Sequence, residues 1–266
     1  MSVLSTRRLR FLRKLLLGIA GLVAFLVAWQ LTPTLGVVNS QYLPYVTDVF
    51  TRLFEEFRDV AFWRRLGLTM TSWAIGLTVA TLAALVLGTI VGLVPWLRRA
   101  THTMVEFLRP IPSVALIPLA VLLYGLQMRA ALVIIVYASF WQVFVQVIYG
   151  VADVDTVARD TARSFGLTRR ERLSYLVLPT ALPYLMTGLR LAAAVALILA
   201  ITAEMVIGNP GLGRMIELSR SAGDATGVYA FVVVTGLLGL AVNIVFRFVE
   251  RRTLGWHQSV RGEEIR

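Results

Sequence analysis

The sequence predicts an all-α integral membrane protein with six transmembrane helices. Three observations carry that prediction. First, 58% of the 266 residues are hydrophobic and the mean hydropathy is +0.75, whereas an ordinary soluble domain is about 45–50% apolar. Second, the apolar residues gather into runs that approach or exceed the roughly 20 needed to cross a bilayer. Third, the basic residues alternate between connecting segments as the positive-inside rule requires.

The elements follow in chain order. Leu15 to Leu31 is the first span, preceded by Arg7, Arg8, Arg10, Arg13 and Lys14. It has the layout of a signal peptide, but WQLTPTLG follows without a small-residue cleavage site, so an uncleaved signal anchor is expected. Thr32 to Arg65 is the longest outer segment. Within it Val49, Leu53, Phe54, Phe57 and Val60 recur at helical spacing, with Thr47 and Asp48 as cap candidates. This predicts either an amphipathic helix on the outer membrane face or a plain helical connector.

No charge falls between Arg65 and Arg98, and Leu68 to Leu93 is the second span. Pro110 to Met128 is the third, and Pro110, Pro112 and Pro118 predict a kink or break in it. Ala130 to Ala152 is the fourth. Leu182 to Ile207 is the fifth, with Arg190 near one end and Glu204 near the other. Val228 to Phe246 is the sixth.

With the N-terminus in the cytoplasm, 18 of the 26 basic residues fall on the cytoplasmic side. Both termini are therefore expected there, and most of the net charge of +11 is explained by topology. Nucleic acid is not an expected partner; membrane lipid is. The chain has no cysteine, which excludes disulfides, thiolate metal sites and a cysteine nucleophile. His102 and His257 have no metal-ligand spacing around them, so no metal site is expected.

The most informative stretch lies between spans four and five. Asp160 to Pro179 reads DTARSFGLTRRERLSYLVLP. Asp155 is placed to cap a helix over Thr156 to Phe165, and Gly166 can take the positive φ that ends it. Thr168 followed by Glu171 forms a capping box for a second helix, and Pro179 and Pro183 mark where span five begins. A short helix is thus offered to the cytoplasm on a rigid base, as a docking surface for a soluble partner.

This stretch resembles the EAA loop of the membrane subunits of bacterial ABC importers. That pattern is Glu-Ala-Ala, three residues, Gly, nine residues, Ile, any residue, Leu-Pro. Here Asp160-Thr161-Ala162 precede Gly166 and Leu176-Val177-Leu178-Pro179 at the same spacings, with Asp for Glu, Thr for Ala and Leu for Ile. LRPIPSVALIPLAVLLYG (Leu108 to Gly125), TGLRLA (Thr187 to Ala192), AEMVIGNPGLG (Ala203 to Gly213) and FRFVERRTLGWH (Phe246 to His257) are similar to segments of the subfamily that imports nitrate, sulfonates and taurine.

The resemblance implies a type I importer permease architecture. An N-terminal region, 1–65, would precede a five-span core, 66–256, with its coupling loop at 153–180 and a cytoplasmic tail at 257–266. It implies a multi-pass protein of the bacterial inner membrane, acting as a translocation pathway. Its implied partners are a second copy of itself, two ATPase subunits and an extracytoplasmic substrate-binding protein. Asp160, Thr161, Ala162, Arg163, Gly166, Leu178 and Pro179 would be the coupling residues.

ATP and Mg²⁺ would be bound by the partner ATPase, with no cofactor in this chain. A P-loop needs Gly-Lys-Ser/Thr, but the one lysine, Lys14, precedes Leu15, so no ATPase site of its own is expected. No G-x-S-x-G or H-E-x-x-H motif is present, and no catalytic residue is proposed. An ion-coupled secondary transporter is the competing reading. It would usually bury acids as relays, and Glu204 is the single acidic residue within the six expected spans.

Glu204, with Gly211 and Gly213 in the following turn-rich loop, is a candidate gate or interface. The alternative is a carboxylate that reaches the outer headgroups. Trp141, Gln142, Gln146, Ser72 and Asn243 are candidate pathway residues; the alternative is hydrogen bonding between helices. Arg190 is expected to snorkel to the cytoplasmic surface.

Overall fold

The computed structural model describes residues 3–255, and among these every regular element is helical. The expected tail at 257–266, with His257, Arg261 and Arg266, lies outside the described residues, as does Trp256 at the end of the core.

Five helices among the described residues are long and apolar enough to cross a membrane, and a sixth crossing is made if one bent pair counts as a span. The helices are α1 (Val3–Thr34), α2 (Val46–Arg58), α3 (Val60–Leu93), α4 (Pro95–Leu108), α5 (Ile117–Tyr124), α6 (Met128–Ala152), α7 (Thr156–Ser164), α8 (Arg169–Arg172), α9 (Leu178–Ile207), α10 (Leu212–Ser221) and α11 (Ala225–Thr253). By their contacts the residues form two compact units. One comprises the residues up to Phe62 together with Ile216–Val234. The other comprises Trp63–Met215 and the residues from Thr235 onward.

In the first unit α1 exposes Leu16, Leu17, Leu22 and Phe25, as a helix in lipid would. The α2 helix is capped differently from the sequence expectation. Tyr45 is its N-cap residue and supplies no side-chain bond; the Gln30 side-chain oxygen Oε1 instead accepts from the Val46 and Thr47 amides at 2.8 and 3.4 Å. Trp29 Nε1 donates to the Pro44 carbonyl at 3.0 Å, closing the same corner. The buried face of α2 is Val46, Val49, Leu53 and Glu56, whereas Phe54 and Val60 of the expected stripe point outward. A helical face contains residues three and four apart; Leu53 and Phe54, adjacent in sequence, cannot both lie at its centre.

The second unit differs from expectation at the third span. Ser113–Leu116 is a 3-10 turn and α5 has eight residues, about 12 Å of helix at 1.5 Å per residue, too little for a hydrocarbon core of about 30 Å. The bent pair is α4 with Ser113–Tyr124, at an angle of 82°. Pro110 and Pro112 have no N–H for a continuing helix, and the Tyr137 hydroxyl donates to the Leu108 carbonyl at the elbow, at 2.7 Å.

The core of this unit is α6 against α9. Ala192, Ala193, Ala196, Ala200 and Ala203 of α9 are buried with Ile134, Ile135, Val143 and Val147 of α6 in one cluster. Small residues let helix backbones approach closely, which is how helices associate in lipid.

The helix expected after Thr168 runs unbroken into span five, so the helical segment begins at Arg169, ahead of the expected Leu182. α8, a π turn over Leu173–Val177 and α9 run on from Arg169 to Ile207 as one 39-residue segment. The π turn sits where Pro179 cannot donate to the carbonyl four residues back. Arg190 does not simply reach for solvent: its guanidinium pairs with Glu250 of α11 at 3.0 Å.

Candidate functional site

Two constellations stand out, both in the second unit. The first is the connection from α6 to α9. The Asp155 carboxylate accepts from the Val157 amide at 2.9 Å and caps α7. At the other end Gly166 has φ +72°. Its amide donates to the Arg163 carbonyl, and that of Leu167 to the Ala162 carbonyl, at 2.9 and 3.0 Å. This is a Schellman stop, which favours glycine at the left-handed position. Thr168 and Glu171 then form the capping box. The base is tied down by the Tyr184 hydroxyl, which donates to Asp153 at 2.9 Å.

No residue of α7 is buried. Asp160 and Arg163 are exposed and face each other at 3.4 Å; Thr161 is exposed and Ala162 half-buried. Leu178 and Pro179 lie apart from these, at the start of α9. Two residues not singled out from sequence complete the surface: Val157 and Phe165, 70% and 80% exposed. Their signal was available, since apolar side chains at both ends of a short polar helix have nothing local to pack on.

The second constellation surrounds Glu204. Its carboxylate is 1% exposed, so it does not reach the headgroups. Oε2 accepts from the Thr69 hydroxyl and from the Gly213 amide, each at 2.9 Å. The Thr69 hydroxyl in turn accepts from the Leu212 amide at 2.9 Å. Oε1 is buried without a hydrogen-bond partner. A Cβ at Gly211 would overlap the Glu204 carboxylate, and one at Gly213 would overlap the Ile201 carbonyl. Gly208 ends α9 in the left-handed conformation, φ +86°. Thus α3, the end of α9 and the start of α10 are clasped by one acid, one hydroxyl and two amides. Thr69 was missing from the sequence candidates; burial of Glu204 demands a donor, and a hydroxyl at the matching end of another span was the place to look.

The pathway candidates stand in different surroundings. Gln142 and Gln146 lie at the contact with α9, where Gly188 approaches the Gln146 side chain and the Gln142 carbonyl. Ser72 donates to the Leu68 carbonyl of its own helix, and Asn243 is exposed. Trp141 stands among Tyr137, Phe140 and Phe144 with ring centroids 5.1–6.0 Å away. It borders an apolar groove of about 620 Å³ with Ile75, Val79 and Val133.

Comparison with known proteins decides what this scaffold is. The family described as binding-protein-dependent transport system inner membrane component matches residues 76–255. The chain belongs to that family. It is therefore the permease subunit of an ABC importer. The taurine transport system permease protein of Escherichia coli is 30% identical, with 97% of each chain covered. A second Escherichia coli permease, provisionally named for aliphatic sulfonates, is 27% identical over 91% of this chain and 92% of its own. Among solved structures, the inward-facing methionine ABC transporter matches with a TM-score of 0.62 and 18% identity. That match covers 71% of this chain and 94% of the other, a likeness of fold. As an inner-membrane component of such a system, this permease works with an ATPase and a binding protein.

Proposed function

We propose that the permease carries a small sulfonate-type anion or zwitterion into the cell, as one half of a homodimer with two ATPase subunits. Both termini lie in the cytoplasm, the ATPases dock on α7 and hydrolyse the ATP, and the binding protein delivers cargo to the opposite face. The substrate class rests on the two relatives named for taurine and aliphatic sulfonates. The coupling role rests on one observation: α7 exposes Val157, Asp160 and Phe165 while its ends are fixed by a cap, a Schellman stop and the Tyr184–Asp153 bond. A helix so held can transmit a push from the subunit that grips it. The Glu204 clasp is the outer gate of this reading, because it ties the Gly208–Gly213 loop to α3 and α9.

The test is co-expression with the neighbouring ATPase and binding-protein genes, followed by gentle purification and a taurine uptake assay. The reading expects the ATPase to co-purify and uptake to need ATP. Uptake by the purified permease alone, driven by a proton or sodium gradient, would sink it. Orientation can be checked separately: since the chain has no cysteine, single cysteines at Ser5 and Ser221 should label from opposite sides.

A further inference from the structure

A cavity of about 600 Å³ lies beside the base of α7. One stripe of α4 lines it with Pro95, Arg98, Arg99 and His102, the end of α3 contributes Gly92, and α7 contributes Arg159. No lining residue is acidic. Among the described residues no carboxylate comes within ion-pair distance of Arg98, Arg99 or Arg159, and His102 pairs with Glu106 at 3.4 Å. Positive-inside topology places arginines near this face in any case. It does not by itself gather three unpaired guanidinium groups around one concavity.

A second cavity, of about 150 Å³, adjoins along α4 and shares Arg98 and His102. Its other walls are Val91, Val105, Val145, Ile148 and Tyr149, with Thr101, Glu106 and Arg109 as further polar lining. The remaining face of α4 exposes Trp96, Met104 and Phe107, and no residue of this helix is buried. A helix with aromatic and thioether groups on one side and guanidinium groups on another suits the membrane interface.

We infer that the larger cavity is an oxyanion site that takes a phosphate group, supplied by the head of an anionic phospholipid. Guanidinium forks match phosphate oxygens and bind them in bidentate fashion, and basic pockets between helices on the cytoplasmic side suit such head groups. The smaller cavity receives the start of an acyl chain along its Val91, Val105, Val145 and Ile148 wall. Because Arg159 belongs to α7 and Arg98 to the first turn of α4, a bound phosphate ties the docking helix to the start of the bent pair. Lipid charge then bears on how firmly α7 is held.

The full chain, purified in neutral detergent, is titrated with phosphatidylglycerol or phosphatidylcholine and the bound lipid is counted by native mass spectrometry. Inorganic phosphate binding is measured in a parallel calorimetric arm. The expected result is that phosphatidylglycerol binds and that Arg98→Gln/Arg159→Gln weakens it at least tenfold. Arg251→Gln/Arg252→Gln, which removes the same charge away from the cavity, should bind like wild type. Should the first pair fail to fold, Arg159→Gln alone, on exposed α7, gives the same comparison. If inorganic phosphate binds in an Arg98- and Arg159-dependent way but phosphatidylglycerol does not, the site stands and its source is the free ion. If neither ligand distinguishes the two double variants, the inference is overturned.

Discussion

Thr69→Val is the most incisive test of the clasp. Valine has the shape of threonine without the hydroxyl, so packing is kept while two buried hydrogen bonds go. The Leu212 amide loses its acceptor and Glu204 Oε2 loses one of two donors, both contacts being 2.9 Å in the native protein. A buried unsatisfied amide costs about 1–3 kcal/mol, and the loss of a second buried hydrogen bond adds about 0.5–1.5 kcal/mol. Allowing for overlap between two bonds that share one hydroxyl, the loss is about 3 kcal/mol. For a chain of this size that corresponds to roughly 6–12 °C in the unfolding midpoint. The assay is thermal unfolding in one detergent at one fixed scan rate, since membrane-protein unfolding is usually irreversible. Thr69→Ser keeps the hydroxyl and should stay close to wild type. Equal midpoints for the Val and Ser variants would refute the reasoning, because the hydroxyl would then contribute nothing.

Gly166→Val should leave insertion and folding intact, since a Cβ there meets nothing within 4 Å. It strains the left-handed turn by about 1–2 kcal/mol, so ATPase co-purification and uptake should fall while the yield of folded permease does not. Val157→Asp with Phe165→Asp should abolish ATPase co-purification without moving the unfolding midpoint, because both side chains are largely exposed; unchanged co-purification would remove them from the docking surface. For Arg190 and Glu250, a double-mutant cycle to Gln should give a coupling energy of about 1 kcal/mol or less, the pair being only partly buried. A value several times larger would mean the pair acts within a wider network.

What could be read from the sequence was governed by the range of the interaction concerned. Asp155, Gly166 and the Thr168–Glu171 box act within a few residues, and the expected cap, stop and box are all present. The five long helices follow from uninterrupted apolar runs. The α2 cap failed because its acceptor, Gln30, lies 16 residues before the Val46 amide, beyond any local pattern. Thr69 was missed for the same reason on a larger scale, 135 residues from Glu204. At the third span the prolines marked a break, but α4 was not foreseen. Its arginines read as a loop between spans, whereas in the fold they form one stripe of an amphipathic helix.

The two constellations are linked by a single element. The segment from Arg169 to Ile207 carries the base of α7 at one end and Glu204 near the other. At 1.5 Å per residue it is about 58 Å long, nearly twice a hydrocarbon core of about 30 Å. Arg169, Arg170 and Arg172 put the excess length on the α7 side, because charged side chains are costly in lipid. Close packing of α9 against α6 restrains it along its buried alanine face. The π turn at Leu173–Val177 and Pro183 interrupt its regular hydrogen bonding, and both fall in the half nearer α7. From there to Ile207 the helix is regular, so a movement that passes these points reaches the clasp as a shift or tilt of a rod. The clasp is built to register such a shift: Gly211 and Gly213 leave no space around Glu204. Displacement of Glu204 must therefore carry the Gly208–Gly213 loop with it or break its bonds to Thr69 and Gly213.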